Sequence, residues 1–219
     1  MEQVLIAFGK NVDTELVLRE DTHFLCSRHA FSEWAKGYKQ LRLEYFYRMM
    51  RKRHAIMMDG SGPLHGRWNF DAENRGAFPK GGPKDVRAPP WTRPDAITRE
   101  AIADVEAHFP GHPGTLDAFG WPVTRKDSLR ALKKFVDERL PTFGRYQDAM
   151  WTGEPFLHHS CLSAAMNVKL INPREVIAAA VEAFEQGRAP IEAVEGFVRQ
   201  VLAERQSRRE IEREAGRRR

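Results

Sequence analysis

The chain has 219 residues, 42% of them hydrophobic and 30% charged, with a formal net charge of +5. That is the balance of an ordinary soluble protein, and no apolar run approaches the length of a membrane span. Its two cysteines, Cys26 and Cys161, lie far apart and form no CxxC pair, which offers no zinc or iron–sulfur framework and suggests a reducing compartment.

The first residues, MEQVLIAFGKNV, lack the basic start and long apolar stretch of a secretory signal. Val4 to Phe8 and Glu15 to Leu18 are short apolar-rich runs that predict a helix end and a strand. Ser27 to Gly37 predicts a short helix. Lys39 to His54 predicts a strong one, because Leu41, Tyr45, Met49 and Leu43, Phe46, Met50 recur at helical spacing. That stripe reads as core, with Arg48, Arg51, Lys52 and Arg53 as a solvated face. Ala55 to Met58 reads as a short strand, closed by a turn over Asp59 to Gly62. Gly60 to Pro94 is rich in Gly, Pro and charge and reads as a linker. Trp68 and Phe70 inside it argue for packing, since aromatics in a linker usually rest on something.

Asp95 opens a helix that runs to Phe109, and Pro110 to Pro113 end it. His108 and His112 are four apart with Pro110 between them, so no helix presents them together as a metal pair. Thr124 to Leu140 is a further helix, capped by Thr124 or Asp127, with Leu129, Leu132, Val136 and Leu140 on its apolar face and Pro141 after it.

Tyr146 to Asn167, YQDAMWTGEPFLHHSCLSAAMN, is the stretch around which the rest is organised. Gly153 and Pro155 mark a turn, and Ser160 and Ser163 then sit near the start of a helical segment. Hydroxyls there serve either as caps or as a phosphate seat. His158 and His159 lack partners at ligand spacing and read as polar surface or hydrogen-bonded core, and Cys161 as packing. Asn172, Pro173 and Glu175 make a capping-box helix start, and Gly187 ends that helix. Pro190 to Leu202 gives the last amphipathic helix. From Glu204 onward seven Arg and four Glu leave no apolar period. Such a segment is solvated, and its arginines predict salt-sensitive, sequence-independent binding to nucleic acid.

Several stretches together resemble the cryptochrome/photolyase family, most closely the bacterial iron–sulfur branch of photolyase-related proteins. They are Asp21–Ser27 (DTHFLCS), Lys39–Arg51, Arg67–Arg75 (RWNFDAENR), Phe119–Arg125 (FGWPVTR), Tyr146–Asn167, Ile171–Val176 (INPREV) and Val194–Leu202. The resemblance implies a mainly α fold. Residues 1–59 would be the end of an N-terminal α/β antenna domain and the helices after it, 60–94 an interdomain linker, and 95–202 the first helices of an all-α FAD-binding domain. Residues 203–219 would be a divergent charged tail, because the family's Trp-Arg-Glu-Phe motif gives way here to Ala203, Glu204, Arg205 and Gln206. The chain then looks like a fragment of the family's fold.

The resemblance further implies part of a cytoplasmic, monomeric DNA photolyase, a carbon–carbon lyase that binds FAD and acts on ultraviolet-damaged DNA in light. With only one wall of the flavin pocket, this chain alone is expected neither to retain FAD nor to repair DNA. Tyr146, His159, Ser160, Cys161, Leu162 and Ser163 would contact the cofactor. The antenna pigment and the 4Fe–4S cluster belong to full-length relatives. The alternative is a non-catalytic remnant, or a weak nucleic-acid-binding helical module.

Overall fold

The computed structural model describes residues 2–9, 16–17 and 19–207. Among these are helices α1 (Glu2–Gly9), α2 (Arg28–Lys36), α3 (Leu43–His54), α4 (Ala96–His108), α5 (Arg125–Glu138), α6 (Leu140–Tyr146), α7 (Ser163–Asn167), α8 (Pro173–Glu185) and α9 (Ile191–Arg199). The described sheet has two strands, β1 (Met58–Asp59) and β2 (Gly62–Pro63), paired antiparallel with Met58 opposite Pro63. The fold is mainly α, as expected. Residues 10–15, 18 and 208–219 lie outside the described residues, and with them the ends of the 15–18 run and most of the arginine-rich tail.

Local chemistry sets most helix starts. Ser27, Asp95 and Thr124 each accept a hydrogen bond from a backbone N–H of the first turn. Asn172 and Glu175 form the reciprocal capping box, and Pro173 takes the first position, where its missing N–H is no loss. Asn172→Ala should cost about 1 kcal/mol and lower the melting temperature by about 2–4 °C. An unchanged thermal midpoint would show that Glu175 and its partner Arg125 hold this end unaided.

Helix α9 is the axis of the core. Phe197 meets Phe135 of α5 at 4.7 Å and Phe143 of α6 at 5.5 Å between ring centroids, while Val194, Val198 and Leu202 are buried beside them. Helices α6 and α9 approach closely through Gly144, where an added Cβ would stand 2.6 Å from the Ala193 Cα. A second aromatic cluster, Phe31 and Trp34 of α2 with Phe46 of α3, fills the other end of the core.

Five expectations differ from the structure. The α3 stripe is not all core, since Leu43 and Tyr45 are exposed while Phe46 and Met50 are buried. Helix α3 starts at Leu43 instead of Lys39, at Arg42, whose side chain makes no cap. Residues 55–57 are no strand, since Ala55 and Met57 have φ of +52° and +50°. Arg51 is not on a solvated face: it is buried, and donates to the carbonyls of Ile56, Met57 and Trp68. The last helix does not lose its packing after Leu202. It passes through a π turn (Gln200–Glu204) and stays helical to 207, with Ala203, Gln206 and Ser207 buried. Gln206 pairs with both backbone groups of Cys26, accepting from its N–H at 3.2 Å and donating to its carbonyl at 2.7 Å. Arg205 donates to the His23 carbonyl and lies over the Phe24 ring. The Asp21–Ser27 stretch is thus bound to the end of this helix.

Residues 67–95 contain no helix or strand, yet they are fastened like a strap. Glu195 accepts from the Phe70 N–H at 3.0 Å, Asn74 donates to the Glu192 carbonyl at 2.9 Å, Gly76 donates to the Arg145 carbonyl at 2.8 Å, and Arg199 pairs with Asp71. Glu195 is fully buried, and this burial pushes its carboxyl pKa up, against the nearby Arg199 and Arg51 and its bond to the Phe70 N–H. A carboxyl raised on folding carries no penalty below the ordinary glutamate pKa of about 4.3, where both states are protonated. Stability then falls as pH rises from there through the raised folded value. Glu195→Gln keeps an acceptor for Phe70 and should remove that part of the slope in urea midpoints measured against pH. An unaltered slope would locate the pH dependence elsewhere.

Candidate functional site

Between Tyr146, the end of α6, and Ser163, the start of α7, residues 147–162 form an irregular loop shaped by non-glycine residues in left-handed backbone. Glu154 N–H closes a turn onto the Trp151 carbonyl, with Gly153 at φ +86°. Phe156 is then gripped edge-on by Trp91 at 4.9 Å and Trp121 at 6.3 Å. Leu157 and Cys161 reverse the chain at φ +39° and +57°, and the His159 N–H bonds the Phe156 carbonyl. Such conformations persist only where surrounding contacts enforce them.

Arg139, between α5 and α6, is the main enforcer. It is buried, and one terminal nitrogen donates to the His159 carbonyl at 2.7 Å and lies 3.5 Å from the Cys161 sulfur. The other donates to the Arg87 carbonyl, so the strap, the loop and the helix junction meet on one guanidinium. Among the described residues no carboxylate pairs with Arg139, so its charge remains to act on the loop, and the Arg139 Nε has no partner there. Burial lowers the pKa of His158 and His159, and Arg139 lowers both further, so both rings are neutral at neutral pH. Burial raises the Cys161 thiol, with Arg139 opposing, so the sulfur stays protonated.

Tyr146 is half-buried at the end of α6. Its ring stacks on Phe78 of the strap at 4.5 Å and on His158 at 5.0 Å, while the Arg145 guanidinium lies 5.3 Å from its centroid. His158 is buried in this stack, hydrogen-bonded through Nδ1 to the Thr142 hydroxyl at 2.9 Å. His158 is therefore a hydrogen-bonded core histidine, the second of the two readings its sequence surroundings leave open.

Ser160 and Cys161 are half-buried, Leu162 is buried, and Ser163 is exposed at the first position of α7. The Ser160 hydroxyl accepts from the Leu162 N–H at 3.5 Å, and Leu162, not a serine, holds the N-cap position of α7. With five residues α7 carries little dipole, so the helix-start argument for a phosphate seat is weaker than the sequence suggests. What the structure adds is the buried Arg139 behind the loop. Two hydroxyls and the Ser160–Ser163 backbone, with a guanidinium that lacks a carboxylate partner buried behind them, fit the phosphate portion of a nucleotide cofactor. Sequence reasoning missed Arg139, which gave no signal, and Phe78 and Trp91, whose only signal was the aromatic content of the linker.

A family model described as deoxyribodipyrimidine photo-lyase-related protein matches residues 1–121. The chain belongs to this family. It is also 45% identical over 207 residues to the (6-4) photolyase of Agrobacterium fabrum (strain C58), an alignment that covers 94% of the chain and 39% of that relative. The photo-lyase-related chain thus spans about two fifths of the length of the curated relative it matches. An alignment of that extent runs through the Tyr146–Ser163 loop. Among the described residues no helix is long and apolar enough to cross a membrane, and no group of three or more His, Cys, Asp or Glu side chains is placed to hold a metal ion.

Proposed function

We propose that this chain serves light-driven repair of ultraviolet-damaged DNA, as a carbon–carbon lyase of the photolyase type, and that its 146–163 loop contacts the phosphates of FAD. The observation that carries the reading is the buried, carboxylate-free Arg139 holding the loop that bears Ser160 and Ser163. In this reading Ser160, Ser163 and the backbone from His159 to Leu162 would hold the phosphate oxygens, and Tyr146 would border the cofactor. The flavin supplies light-driven electron transfer to the lesion, and the protein positions it and shields it from water. The damaged base leaves the duplex to reach it. The chain works as a cytoplasmic monomer.

The test is a chimera. The matching segment of the Agrobacterium relative is replaced by this chain's residues 1–207, and flavin content and light-dependent repair of irradiated DNA are measured. Retained flavin and repair support the reading. A folded chimera without flavin overturns it.

A second reading, a non-catalytic nucleic-acid-binding module, is favoured by one surface. Arg48 and Lys52 of α3 lie 5.4 and 5.5 Å from the Trp68 ring, and Tyr38 and Tyr45 stack in the open at 5.7 Å, with Arg42 beside Tyr45. Cations interleaved with aromatics suit a phosphate backbone and its bases. If irradiated and unirradiated DNA bind equally, with one salt slope, this second reading stands alone.

A further inference from the structure

Beside α8 lies a cavity of about 340 Å³ that shares no residue with the 146–163 loop. One wall is a single face of α8: Arg174, Ile177, Ala178, Val181, Phe184 and Glu185 recur at helical spacing. The opposite wall is the segment from His54 to Met58 with Leu64, and Leu25 closes one side. The volume falls within the range of small-molecule sites.

Three features set its chemistry. The cavity is preformed: Ala55, Met57 and His65 hold left-handed backbone, and Arg51 braces the turn by donating to the Ile56 and Met57 carbonyls. Leu64 and Met58 line the space from that turn, whose His65 ring meets Phe184 of α8 edge-on at 6.0 Å. The body of the cavity is apolar, built from Ile56, Met58, Leu64, Ile177, Val181 and Phe184. Its ends are charged and opposite. Arg174 and Glu185 are both exposed, and neither makes an ion pair among the described residues. Eleven residues of helix separate them, about 16 Å along the axis. His54 adds no charge: its Nε2 donates to the Leu25 carbonyl at 2.9 Å, and burial lowers its pKa.

We infer that this cavity binds a slender aromatic carboxylate that carries an ammonium group at its far end, with the carboxylate on Arg174, the rings between α8 and the 56–64 turn, and the ammonium on Glu185. Arg174 presents a planar fork that matches a carboxylate. The apolar walls remove the rings from water without leaving a polar group unpaired.

The test uses the full chain and three probes: 4′-(aminomethyl)biphenyl-4-carboxylate, biphenyl-4-carboxylate and 4-(aminomethyl)biphenyl. Amide shifts of residues 56–64 and 174–185 report binding. The double-ended probe should saturate these shifts, and each single-ended probe should bind about tenfold more weakly, the loss of one charged hydrogen bond. Arg174→Gln should reduce the double-ended probe to the level of the amine alone, and Glu185→Gln to the level of the carboxylate alone. Both positions are exposed, so neither variant threatens folding. Ala178→Trp, at the mouth, should block all three probes. The inference is overturned if millimolar double-ended probe leaves these amides unshifted. It is overturned equally if its affinity ignores both charge substitutions.

Discussion

Gly144→Ala should destabilise the chain by about 3 kcal/mol and lower its melting temperature by about 6–12 °C. The reason is backbone, not side chain. A Cβ at this position would meet the Ala193 Cα at 2.6 Å and the Ala193 nitrogen at 3.0 Å, and would also strike the Asn74 side-chain oxygen. Neither helix can give way easily, because α9 is pinned on its other flanks by Phe197 and Val198 in the core. The gain in helix propensity from alanine, up to about 1 kcal/mol, does not offset this. Asn74 would be displaced as well, and with it the strap's bond to the Glu192 carbonyl. Thermal unfolding followed by circular dichroism measures the loss. A midpoint within a degree or two of the parent would mean that the helices separate without cost, and that the α6–α9 contact is not the axis of the core.

Arg139→Met should be nearly as costly, about 3 kcal/mol, with an effect concentrated in the loop. Methionine fills much of the arginine's volume and removes a buried charge, which by itself is favourable. It leaves the His159 and Arg87 carbonyls without their donor, at about 1–3 kcal/mol for each buried group. Cys161 and Leu157 then lose the contacts that hold their left-handed backbone, so residues 156–163 should relax. Hydrogen exchange should accelerate there far more than in α8 or α9. Uniform acceleration across the chain would indicate a general loss of stability and no special role for Arg139 in shaping the loop.

Where the determinants are local, the sequence makes them legible. The Asn172–Glu175 box, the Thr124 and Asp95 caps, the turn over Asp59 to Gly62 and the stop at Gly187 depend on neighbours a few residues away. The apolar stripes of α5, α8 and α9 name the core for the same reason, Leu129 of α5 excepted, which is exposed. Helix α6 escapes because Pro141 reads as a terminator, when after Leu140 it occupies the first turn of a new helix. The rest depends on pairs far apart in sequence. Glu195 with Phe70, Gln206 with Cys26 and Arg139 with Arg87 are separated by 125, 180 and 52 residues. A charged residue gives no local sign that its partner is a distant carbonyl, so Arg51 reads as surface and Arg139 draws no reading at all, when both are buried. In the candidate site the serines and Tyr146 are visible in the motif. The cation that gives the loop its charge, and the Phe78 ring that covers one side of Tyr146, become visible only in three dimensions.

The central claim is that the loop from Ser160 to Ser163 is a phosphate contact. The most direct measurement is a titration of the isotope-labelled chain with FAD, FMN and riboflavin, following the backbone amides of residues 159–164. FAD and FMN should shift these amides in a salt-sensitive manner, riboflavin should leave them unmoved, and Ser160→Ala with Ser163→Ala should weaken the response about tenfold, as expected for lost hydrogen bonds to a charged group. Equal shifts from riboflavin, or none from either phosphorylated flavin, would contradict the account.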